Sequence, residues 1–173
     1  NSGSSIKYPD RFKEKERIVY LNGEAYFEVA SNTSVPFIVK TSSLNVKATG
    51  TKFNVSDYIS DLNSEVTLVT GKVFVNELTE NNRIKPVSEL FPNQHLVLSK
   101  QTGTISVQME DINEYISWKD GKLIFRNKPL SYVVKKIGQV FNVDIELQGS
   151  VLQDYRYRAT FEDESLTEIL KLL

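Results

Sequence analysis

The 173-residue chain has no cysteine, and only one histidine, one methionine and one tryptophan. Without cysteine there is no disulfide, no thiol nucleophile and no thiolate metal site. A zinc, iron or copper centre needs about three or four converging ligands, and His95 is the only imidazole available. A metalloenzyme of the cupin kind is therefore not expected, and no metal or cofactor is assigned. Also missing is any run approaching the roughly 20 apolar residues that span a bilayer, and no signal-peptide pattern opens the chain. Neither sign of charge dominates: 21 Lys and Arg stand against 22 Asp and Glu, for a net charge of -1. The longest basic run is Lys135–Lys136, which argues against nucleic acid as a partner.

What is present suits a folded, mostly β protein. Hydrophobic residues make up 40% of the chain, enough to build a core. From Arg17 to about Glu110 apolar and polar residues alternate in short runs: Leu44, Val46 and Ala48; Phe53 and Val55; Leu96 and Leu98; Ile105, Val107 and Met109. Turn formers separate them, including Asn22-Gly23, Asn81-Asn82 and Thr102-Gly103. The run Glu65–Leu78 is too long for one flat strand, and its apolar phase changes across Gly71, which predicts a bulge or bend there. Pro36 and Pro86 are expected at strand starts or edges. Residues 1–110 thus read as an antiparallel β sandwich or β-roll, and 111–118 as a polar connector with one helical turn.

Residues 119–173 carry an internal repeat of period 36. Phe125, Leu130, Val133, Val134 and Ile137 correspond to Phe161, Leu166, Ile169, Leu170 and Leu173. Each copy reads as a strand end leading into an amphipathic helix. Pro129 suits a first helical turn, and Ser165 with Glu168 makes a capping box. The first helix is predicted to run to about Phe141, with a strand at Val143–Leu147. The order is β-α-β then β-α, a small split-βαβ unit whose last strand is expected to be absent. Starting at Asn1 rather than Met, the chain reads as a fragment, with any anchor or cytosolic part outside it.

Catalytic motifs fail in turn. No G-x-S-x-G occurs for a serine nucleophile, and no G-x-G-x-x-G or complete P-loop for phosphate. Carboxylates that could pair for acid–base work are Glu24 with Glu28, Asp57 with Asp61, and Glu162-Asp163-Glu164. None has a distinguishing context: Asp57 and Asp61 flank a polar turn, and Glu162–Glu164 sits where acids favour a helix N-terminus, so no catalytic residue is assigned and an enzyme is not expected. His95 alternates with Leu96 and Leu98 and is expected to face solvent. Trp118 reads as a core residue. The alternating run Tyr155-Arg156-Tyr157-Arg158 is the candidate partner-binding segment, because Tyr and Arg are favoured interface anchors and an exposed strand edge can accept a partner strand.

Several segments together resemble one family. Val19-Tyr20-Leu21-Asn22-Gly23-Glu24-Ala25-Tyr26-Phe27-Glu28-Val29-Ala30 is similar to the signature stretch of FecR proteins. Pro36–Val39, Gly50–Val55, Val66–Val73 and Trp118–Leu123 follow at matching spacing, and Asn1–Ile6 resembles the segment before the signature. The 36-residue repeat looks like the small domain that follows, akin to the secretin and TonB N-terminal (STN) fold. The resemblance implies the periplasmic region of a single-pass inner-membrane anti-sigma factor in a Gram-negative cell. Its partners would be the signalling domain of a TonB-dependent outer-membrane transducer and, through an absent cytosolic part, an extracytoplasmic-function sigma factor. The family has no catalytic residues to carry over. The alternative is a periplasmic module that binds glycan or another small ligand directly.

Overall fold

The alternating runs become ten strands, β1 (Ser5–Lys7), β2 (Arg17–Glu28), β3 (Phe37–Lys40), β4 (Leu44–Ala48), β5 (Lys52–Asp57), β6 (Asn63–Thr70), β7 (Val73–Leu78), β8 (Ile84–Leu90), β9 (Gln94–Ser99) and β10 (Ile105–Met109). The structure is a computed structural model that describes residues 1–12, 14–78, 84–149, 152 and 155–173. The chain divides into two compact units, Ser4–Ile112 and Asn113–Leu173 with Asn1–Gly3.

In the larger unit β2 serves two sheets. Its first half, Arg17–Tyr20, lies beside β3 in the order β1-β2-β3-β4-β7-β8, and its second half, Gly23–Glu28, lies beside β5 in the order β2-β5-β6-β9-β10. Side chains from both sheets meet in one core containing Val19, Val39, Val46, Phe53, Val66, Leu68, Val75 and Leu96. This is the sandwich that the period-2 runs predict, with one departure: β2 and β3 run parallel. Parallel neighbours need a crossover, and the second half of β2, lying in the other sheet, supplies it. The three-residue β1 is too short to register as a periodic run, and sequence reading misses it.

Two glycines make the corners. Gly71 has φ +85 and stands between β6 and β7, which belong to different sheets; a Cβ there would lie 2.7 Å from the Gly50 carbonyl oxygen. The predicted bend is at that residue. Gly23, φ +105, marks the change of sheet within β2, and Ser4 packs where its side chain would be, with Ser4 Cβ 2.6 Å and Cα 2.7 Å from an added Cβ. The Ser4 hydroxyl also accepts the Glu24 N–H at 2.8 Å. Gly23→Ala therefore combines backbone strain with a clash against Ser4, just before β1, an expected cost of about 3 kcal/mol. Urea unfolding should show it, together with faster exchange of the β1 amides bonded to β2; an unchanged midpoint would contradict the close approach.

The smaller unit starts with a helical turn, α1 (Asn113–Ile116), and a 3-10 turn (Ser117–Asp120), where one turn was expected within a connector. Then follow β11 (Leu123–Pro129), α2 (Leu130–Phe141), β12 (Arg156–Phe161) and α3 (Leu166–Leu172). Leu130, Val133, Val134 and Ile137 form the buried stripe of α2 against Phe125 and Phe161. Pro129 is the residue that caps α2 rather than part of its first turn. Ser165 and Glu168 make the expected reciprocal capping box at α3.

The predicted strand Val143–Leu147 is a correction: the segment is irregular, although Ile145 and Leu147 pack on the core. Alternation places those side chains, but a strand also needs a neighbour for its backbone bonds, and none of the described strands pairs with it. The repeat is equally uneven at α3. Ile169 is buried like Val133, whereas Leu170 and Leu173 are 44% and 36% exposed where their counterparts Val134 and Ile137 are buried.

Candidate partner-binding surface

Segment 155–158 falls at the start of β12, which pairs antiparallel with β11 through Leu123↔Phe161, Ile124↔Thr160, Phe125↔Ala159, Lys128↔Tyr157 and Pro129↔Arg156. The register shifts between Phe125 and Lys128, a bulge that holds Asn127 at φ +58. Period 2 then sorts the four candidates. Tyr157, with Ala159, packs against the small unit's core, and its hydroxyl donates to the Leu172 carbonyl of α3. It is committed to holding the helix on the ribbon. Arg156 and Arg158 take the opposite face and are exposed, with Arg156 Nη1 donating to the Asn127 carbonyl at 2.9 Å. Tyr155 is 67% exposed, while its backbone carbonyl accepts the Leu130 N–H at 2.8 Å and so anchors the start of α2. Thus Tyr155, just before β12, and Arg156 and Arg158 on the strand's outward face are exposed, and Tyr157 supports the strand from behind.

Next to this strand the acids are engaged. Glu162 pairs with Lys122 at 2.9 Å, and that side-chain hydrogen bond and charge raise the Lys122 pKa. Glu164 accepts the N–H groups of Glu162 and Asp163, which lower its pKa. Glu168 is held below the usual carboxylate range by the Ser165 hydroxyl and N–H.

The other sequence candidates are spread through the fold. Glu24 is buried and accepts Asn54 Nδ2 at 2.9 Å, whereas Glu28 pairs with Lys52 at 2.9 Å. His95 corrects its expectation: it is 4% exposed, with Nδ1 2.9 Å from the Thr67 hydroxyl directly across the ladder and Nε2 3.8 Å from Glu65. The alternation is right, since His95 is opposite in phase to Leu96; a face turned away from the core is still covered here. Trp118 is partly buried against the small unit's core.

Asp57 is the most engaged acid. Its side chain is fully buried and accepts Ser42 Oγ at 3.1 Å, Ser43 N at 3.2 Å, Ser64 Oγ at 2.9 Å and Lys100 Nζ at 2.6 Å. Burial alone would raise its pKa; the Lys100 and Ser64 hydrogen bonds and the Lys100 charge outweigh that and lower it. Asp61 instead donates its N–H to the Tyr58 carbonyl in the adjoining turn. Nothing in the sequence distinguishes Asp57 from Asp61; only the ladder shows which one points inward. Among the described residues no group of three His, Asp or Glu could hold a metal ion, and no helix is long and apolar enough to cross a membrane.

The chain is thus a β sandwich followed by a small α+β unit, with Arg156 and Arg158 exposed on β12 and Tyr155 exposed just before it. The FecR protein family model matches residues 1–83, and the model for the FecR C-terminal region matches 122–173. Two crystal structures of a candidate anti-sigma factor from Parabacteroides distasonis ATCC 8503, at 1.65 and 2.50 Å resolution, superpose with TM-scores of 0.86 and 0.85. Each is 31% identical to the chain, over 99% of this chain and 78% of the other. No curated protein matches it. The chain belongs to the FecR family of anti-sigma factors.

Proposed function

We propose that this chain is the periplasmic, signal-receiving region of an inner-membrane anti-sigma regulator, and that it binds the signalling domain of a TonB-dependent outer-membrane transducer. A cytosolic part of the same protein would hold the extracytoplasmic-function sigma factor. The sandwich serves as a spacer and the small unit as the dock. The observation that carries the reading is the exposed group at the entry to β12: Tyr155, just before the strand, stands 67% exposed, followed by exposed Arg156 and Arg158 and braced by the Tyr157 contact to α3. Aromatic and guanidinium side chains on a rigid element are the usual anchors of protein interfaces. A partner could switch the regulator only by binding two of its states with different affinity, so docking on the small unit would have to favour one of them.

Calorimetric titration with the signalling domain of the transducer encoded beside this protein tests the reading. Saturable binding is expected, with Tyr155→Ala weakening it by about tenfold or more, the scale of an interface anchor. A folded chain that fails to bind the domain and takes up a glycan instead would replace this reading with the ligand-binding module.

A further inference from the structure

We propose that β12 receives an acidic, extended segment of its partner as an added strand. The inference rests on the reading of β12 as the docking strand and specifies the chemistry of what docks. Among the described residues β12 pairs only with β11, which leaves its second edge without a strand neighbour. The bulge of this ribbon lies on β11, and Arg156–Phe161 contains no proline, so two devices that blunt an edge are missing from β12 and the arginines are what guard it.

Its charge decides what could pair there. Arg156 and Arg158 point to the same exposed face, about 6.6 Å apart along the strand. Residues directly opposite across an added strand come within about 5 Å on one face. A partner with carboxylates at alternate positions would therefore set one against each guanidinium, a pairing that suits the planar fork of arginine. Arg158 makes no ion pair among the described residues, and Arg156 is bound to a neutral carbonyl. Of the adjacent acids, Glu162 is held by Lys122 and Glu164 by backbone N–H groups. Beside the arginines Ile124 and Thr160 face each other across the ribbon, half-buried and exposed respectively, and offer a small contact floor. A second copy is a poorer occupant: in registers centred on this segment its own arginines would meet Arg156 and Arg158.

The test joins a probe strand, Thr-Glu-Val-Glu-Val-Glu, to the C terminus through a flexible Gly-Ser linker, with Thr-Lys-Val-Lys-Val-Lys as control. The tether supplies the millimolar effective concentration that a short strand needs. Amide exchange along β12 should slow by about tenfold with the acidic probe and not with the basic one. The double variant R156E/R158E should reverse that preference, which a merely structural role for the arginines would not do. Equal protection by both probes, or by neither, overturns the proposal. So does a concentration-dependent dimer of the unprobed chain that R156E/R158E abolishes, since the edge would then belong to a second copy. A positive probe with no binding of the transducer domain supports the acidic strand and removes the transducer. Transducer binding that ignores both R156E/R158E and salt keeps the dock but overturns the acidic strand.

Discussion

Phe53→Ala is expected to destabilise the sandwich by about 4 kcal/mol, which is a large part of the roughly 5–15 kcal/mol that holds a domain folded. Phe53 is wholly buried and lies on β5 between Phe27 of β2 and Leu68 of β6 in the ladder. Its ring stacks on Phe27 with centroids 5.2 Å apart, and Phe27 in turn meets Phe37 at 5.7 Å. Because Phe37 belongs to the first sheet and Phe53 to the second, truncation opens a cavity where the two sheets meet. Phe74→Ala is the control, on a ring that is 44% exposed on β7, and should cost below about 1 kcal/mol. The urea midpoints of the two variants decide it. Similar losses would mean that the sheets are not packed around Phe53.

The second large effect belongs to Asp57. Asp57→Asn keeps the shape of the side chain but removes the charge that faces Lys100, whose side chain is only 19% exposed. It also weakens bonds from Ser42, Ser43 and Ser64, which tie the β3–β4 loop and the start of β6 to the end of β5. Breaking a mostly buried pair by removing one partner costs about 3 kcal/mol. The pH dependence gives the interaction a signature of its own. Asp57 titrates lower in the folded protein than in the unfolded chain, so its contribution is complete above the ordinary aspartate pKa of about 4 and fades as pH falls through the depressed folded value. The stability gap between the parent chain and Asp57→Asn should therefore be widest near neutrality and close on acidification below about pH 4. Urea titrations at pH 7 and at about pH 3 would measure it. A gap that is equal at both values would mean that packing rather than charge holds these segments.

Polar residues on the outward faces show where sequence reading stops. The alternation around His95 correctly separates it from Leu96 and Leu98, yet His95, Thr67, Asn54 and Glu24 are all buried. Periodicity assigns a side of a strand; whether that side meets water depends on what lies over it. Asp57 and Asp61 illustrate a related point, since identical residue types four positions apart end buried at the end of β5 and half-buried in the following turn. Segment 143–147 is another instance, because its side-chain pattern is that of a strand while its backbone finds no partner among the described strands. In the candidate dock, the Tyr-Arg alternation was legible, but not the division of labour within it. Tyr157 and Tyr155 look equivalent in sequence, and only the pairing with β11 commits one to α3 and leaves the other exposed.

The sequence by itself determined the two regions, the buried stripe of α2, the capping box of α3, the bend at Gly71 and the family to which the chain belongs. Each depends on residues within a few positions of one another, or on an ordered series of short motifs, and needs no knowledge of distant neighbours. The tertiary structure decided the sharing of β2 between sheets, the parallel pairing with β3, the burial of Asp57 and His95, and the exposure of Arg156 and Arg158 on β12. Those depend on which strands come to lie side by side, and residues far apart in the chain carry no local mark of that meeting.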